Sequence, residues 1–153
     1  VWALTARSRR RQFDRARYLV EAHAPGDAVV AHSYGCLLTL RAMELGAAFG
    51  MVFWFAAAVD RDYVLPMHGS RRVFVIHDPR DRALALGSLL WWHDFGAMGR
   101  DGYDGPPDPR VVNVRADIAS GGWLDPWAHS HYFEPPERGR WVTFVDRRLR
   151  EAA

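Results

Sequence analysis

The sequence predicts an α/β fold, a three-layer α/β/α sandwich around a mostly parallel sheet, on three observations. Short apolar runs alternate with longer segments of helical period. Glycine, proline and aspartate punctuate the boundaries between them. One apolar run passes directly into a serine turn and then a helix. Parallel strands need crossovers, and the crossover helices cover both sheet faces and leave ligands beyond the carboxyl ends of the strands. The chain has 153 residues, 49% hydrophobic and 25% charged, which suits one domain spanning residues 1–153.

The first element is an amphipathic helix from Arg11 to Ala24, in which Phe13, Ala16, Leu19, Val20 and His23 recur at helical spacing. Pro25 and Gly26 stop it. Asp27–His32 is a short apolar run of the kind expected of a strand buried on both faces, followed by Ser33-Tyr34-Gly35 and a helix from Cys36 to Leu45 that Gly46 closes. Gly50–Ala58 and Arg72–His77 are the second and third strands, separated by an irregular stretch containing Pro66 and Gly69. A helix from Arg82 to Trp92 comes next. Asp101–Pro109 is a loop by composition, Arg110–Arg115 a fourth strand, and Gly139–Arg150 a last helix with Trp141, Phe144, Val145 and Leu149 on its apolar face.

Composition narrows the chemistry. All 20 basic residues are arginine, so a phosphate-loop lysine, Schiff-base chemistry and a lysine base are excluded. A single cysteine, Cys36, excludes an internal disulfide framework and a cysteine-rich zinc site, and agrees with a reducing, cytoplasmic setting. The longest apolar run, Phe49–Val59, is about half of the roughly 20 residues a membrane-spanning helix needs, so no membrane span is expected. The net charge of +2 gives no basis for a nucleic-acid partner. The arginines between Arg7 and Arg17 read as the solvated face of the first helix, with phosphate contact as the alternative.

Three strand ends carry the candidate chemistry. At the first, Ala31-His32-Ser33-Tyr34-Gly35 has a serine at the tip and a small residue two positions to either side, the pattern of a nucleophile elbow. Such a turn is tight enough to demand small residues at Ala31 and Gly35 and to hold the serine in a strained conformation. The following helix aims its N–H groups at the same point, which makes the Tyr34 amide a donor to a developing oxyanion. The alternative is that Ser33 merely caps the helix. At the second end, His77-Asp78-Pro79-Arg80-Asp81 offers two carboxylates, and Asp81 also stands where a helix cap would. The third end, Trp127–Phe133, carries His129 and His131 on an expected mobile loop, from which an imidazole base can reach a serine across the sheet edge. Serine, aspartate and histidine follow in the chain order of a triad on such a sheet.

Together, Val29–Gly35, Asp78–Leu84 and His129–Phe133 resemble the α/β-hydrolase serine enzymes, and Asp81-Arg82-Ala83-Leu84 is similar to an Asp-x-Ala-Leu motif in an uncharacterised branch of them. The resemblance covers the chain from Arg11 onward. It implies Ser33 as nucleophile, Asp81 as acid and His129 as base, with Asp78 and His131 as the other candidates for the last two roles. The family's N-terminal strands, with the loop that supplies a second oxyanion donor, have no counterpart before Val1. That departure implies a truncation, a substituting loop or weak activity.

The expected function is hydrolysis of an ester-like bond in a small acyl substrate by a Ser33-His129-Asp81 triad, with no cofactor. Trp91, Trp92, Trp123, Trp127, Tyr132 and Phe133 stand as core residues or as the lining of an apolar acyl pocket. A silent binding or structural domain on the same sheet is the first alternative. A zinc hydrolase using His129, His131 and Asp125 is the second. Cys36 sits inside the helix after the elbow, where a small buried thiol is the ordinary explanation.

Overall fold

A computed structural model of the chain describes residues 2–84, 96–118 and 128–152. Helix α1 (Trp2–Ala22) leads to β1 (Ala28–His32), α2 (Tyr34–Glu44), β2 (Met51–Phe55) and β3 (Arg72–His77). Residues 82–84 are helical, and the rest of the helix expected up to Trp92 lies outside the described residues, as do Trp91, Trp92, Trp123, Asp125 and Trp127. A short helix α3 (Met98–Asp101), strand β4 (Val111–Arg115), a 3₁₀ turn (Ala128–Phe133) and α4 (Glu137–Arg150) complete the order.

The four strands form an all-parallel sheet in the order β1-β2-β3-β4, with Val30 level with Phe53, and Phe53 with Phe74. Side chains alternate across it. Val52, Trp54, Val73 and Val75 face a layer containing Ala16 of α1 and Leu37, Leu40 and Met43 of α2. Phe53, Phe55, Phe74 and Ile76 face Tyr132 and Trp141 on the other side. The Phe53 and Phe74 rings stack with centroids 5.0 Å apart, and Phe144 meets both edge-on. Every residue of β2 is buried, which explains why its sequence lacks polar alternation. The α/β sandwich read from the sequence therefore stands, with helices on both faces of the sheet.

Strand β1 departs from expectation. Among the described residues it is an edge strand, and Val30 is 52% exposed rather than buried on both faces. An uninterrupted apolar run marks a strand, but its place in the sheet depends on which other strands pair with it. Helix α1 also begins well before Arg11, at Trp2. Its Arg11, Arg15 and Arg17 are exposed while Gln12 and Ala16 turn inward, as a solvated charged face requires.

Among the described residues no helix is long and apolar enough to cross a membrane. The described non-glycine residues with positive φ are Ser33, Ala56 and Asp117, each just beyond the carboxyl end of a strand. Backbone strain thus gathers at the edge where α/β sheets bind ligands. Close approach adds to the crowding there: a Cβ on Gly99 of α3 would overlap the Ala56–Ala57 backbone, to which Gly99 donates its N–H at 2.9 Å.

Candidate active site

Ser33 follows β1 directly and has φ 53° and ψ −121°. These angles match the first central position of a type II′ turn, where glycine is usual and any other residue carries strain of about 1–3 kcal/mol. Three backbone bonds hold it there. Its N–H donates to the Phe55 carbonyl at 2.9 Å, and its own carbonyl accepts from Cys36 at 3.1 Å and Ala58 at 3.3 Å. The Ser33 side chain makes no capping bond to α2, so the capping explanation does not describe its hydroxyl. Tyr34 opens α2, at the end where helix amides point outward.

The small residues around the serine have a narrower purpose than the sequence suggested. A Cβ placed on Gly35 would meet only the Ala31 Cβ, at 3.8 Å, an ordinary contact. At Gly35, therefore, no neighbouring backbone stands where a side chain would begin.

Asp78 and Asp81 share a loop but have different tasks. The Asp78 carboxylate is 4% exposed and accepts the Arg80 N–H at 2.9 Å on one oxygen and the Ile118 N–H at 2.7 Å on the other. It ties the loop after β3 to the chain leaving β4. Asp81, 3% exposed, accepts the Leu84 N–H at 3.2 Å on Oδ1 and the His129 Nδ1–H at 2.6 Å on Oδ2. Helix capping and histidine orientation therefore coexist on its two oxygens. His131 lies 3.9 Å from the Glu134 carboxylate instead.

The bond to Asp81 fixes the chemistry of His129. A carboxylate only accepts, so the proton of the neutral ring sits on Nδ1 and Nε2 is left as the basic nitrogen. His129 belongs to the 3₁₀ turn rather than to an irregular loop. Its ring lies 4.7 Å from that of His32, the neighbour of Ser33. The geometry thus brings Asp81 and His129 into contact and sets them beside the serine elbow. Ser33 Oγ itself makes no hydrogen bond to His129 among the described residues.

The sequence places His32 at the end of a strand and within the serine turn, and assigns it no role of its own. Its Nε2 lies 2.8 Å from the His129 carbonyl oxygen and its ring meets Phe133 edge-on at 5.2 Å. Burial lowers its pKa below the ordinary imidazole value, against the opposing effect of that backbone bond. A polar ring closing an otherwise apolar strand was the available signal. Burial likewise pushes the Cys36 thiol well up and the Tyr132 hydroxyl up, so both remain protonated at neutral pH. Cys36 is fully buried, with Sγ 3.6 Å from the Phe55 carbonyl oxygen, an arrangement unsuited to a nucleophile.

Tyr132 is a core residue, whereas Phe133 is 40% exposed. Both border a cavity of about 270 Å³ between β1 and α4, together with Val30, Phe55, Trp141 and Val142. Among the described residues no group of three or more histidine, cysteine, aspartate or glutamate side chains has the arrangement of a metal site. Compared with family models, curated proteins and solved structures, the chain matches none.

Proposed function

We propose that the chain is a serine hydrolase of the α/β-hydrolase type that cleaves an ester-like bond in a small acyl substrate. The observation that carries this reading is the 2.6 Å bond from His129 to the buried Asp81, set beside a serine whose backbone occupies a conformation normally left to glycine. In the reaction His129 Nε2 takes the Ser33 proton as the hydroxyl attacks the carbonyl carbon. The Tyr34 N–H donates to the oxyanion, and Asp81 stabilises the imidazolium. His129 then returns the proton to the departing alkoxide. Water, activated by the same imidazole, releases the acid and restores Ser33. Catalytic hydrogen bonds that are long or unformed in a free enzyme close once substrate is bound, and the reaction requires the Ser33–His129 bond to form in that way.

The same reading takes a small acyl compound as the partner, with no nucleic acid. It sets the reaction in the cytoplasm, where a lone cysteine such as Cys36 stays reduced.

The test is labelling of the purified chain by a serine-directed fluorophosphonate, with and without a chelator, repeated on Ser33→Ala. Chelator-insensitive labelling that disappears in the variant is the expected result. Hydrolysis that survives Ser33→Ala but is lost to chelator would replace the triad with a metal mechanism. No labelling or hydrolysis under any condition would leave a silent binding domain.

A further inference from the structure

We propose that His32 is a positioning residue, which docks the turn carrying the general base onto the strand carrying the nucleophile. A carbonyl oxygen can only accept, so the 2.8 Å contact between His32 Nε2 and the His129 carbonyl oxygen requires the proton on Nε2. The bond joins residues 97 positions apart. One end belongs to the base and the other to the immediate neighbour of the nucleophile. Movement of the turn away from the elbow must break it.

The ring contributes packing as well as a donor. It stands 4.7 Å from the His129 ring and 5.2 Å from Phe133. Level with it on β2, Phe55 touches Tyr132 and Phe133 at 5.5 Å each. His32 and Phe55 thus form a platform at the ends of two adjacent strands on which the 3₁₀ turn rests. Phenylalanine at position 32 keeps the ring and removes the donor, while glutamine keeps a donor at similar reach and removes the ring. Burial also favours the neutral ring, so His32 itself adds no fixed positive charge beside the imidazole that must become charged during the reaction.

The kinetic consequence rests on the hydrolase reading, whereas the docking itself has a separate spectroscopic readout. In the full chain, His32→Phe is expected to slow fluorophosphonate labelling about tenfold, with His32→Gln within about threefold of the parent. Nitrogen-15 NMR of the unsubstituted chain should show His32 as the Nε2–H tautomer. The low-field Nδ1–H proton of the His129–Asp81 bond should persist in His32→Gln and be lost to exchange in His32→Phe.

An Nδ1–H tautomer of His32 in the unsubstituted chain would overturn the proposal even if neither variant folds. So would an unchanged low-field proton in His32→Phe, or equal losses in both variants. If the unsubstituted chain fails to label, the hydrolase reading falls, and the tautomer and the low-field proton alone decide the docking role.

Discussion

Replacing Asp81 with asparagine separates catalysis from folding. The carboxylate acts most strongly once His129 is positively charged. Unit charges about 4 Å apart attract by about 4 kcal/mol at an effective dielectric of about 20. That corresponds to about three powers of ten in rate. The amide of asparagine also favours the wrong tautomer of His129, and the same change in serine proteases lowers turnover about 10⁴-fold. Asp81→Asn should therefore reduce the second-order rate of fluorophosphonate labelling by about 10³- to 10⁴-fold. Stability should barely move, because asparagine Oδ1 still accepts the Leu84 N–H that Asp81 takes at 3.2 Å. A loss of about 1 kcal/mol, or about 2–4 °C in melting temperature, is the expected ceiling. Labelling at the parental rate in a folded Asp81→Asn chain would refute the orienting role. Loss of labelling together with loss of the folded state would assign Asp81 to structure alone.

Asp78→Ala should do the reverse, destabilising the chain by about 2–4 kcal/mol as measured by denaturant unfolding, because it strands the buried Ile118 N–H. Gly35→Ala should leave the melting temperature within about 2 °C in a thermal scan, since the added Cβ meets only an ordinary contact at 3.8 Å. Unfolding free energy should be greatest between about pH 6.5 and 8.5, the ordinary imidazole and thiol values. Below this window the unfolded chain binds a proton at His32 before the folded chain does. Above it the unfolded chain releases a proton at Cys36 before the folded chain does. Denaturant titrations across pH should show both limbs, with the acid limb shallower in His32→Phe.

Local pattern revealed what local physics controls. The third strand runs from Arg72 to His77 as expected, because its apolar residues are bounded by arginine and aspartate. The strained turn at Ser33 was legible in its five residues, although the crowding expected at Gly35 is not present. The edge position of β1 among the described residues was not, since it depends on which other strands pair with it. The choice between Asp78 and Asp81 likewise needed a contact from Ile118, 40 residues away. The four-residue helix α3 is too short to show a period. The role of His32 leaves no local mark, because its partner His129 lies 97 residues away.

Among the described residues β1 pairs with one strand only, and that has a consequence for handling the protein. Ala-Val-Val-Ala-His carries neither proline nor a permanently charged side chain, the usual deterrents to unwanted pairing between molecules. With no other segment pairing on that side, the strand that leads to Ser33 would offer a second molecule a hydrogen-bonding template in concentrated samples.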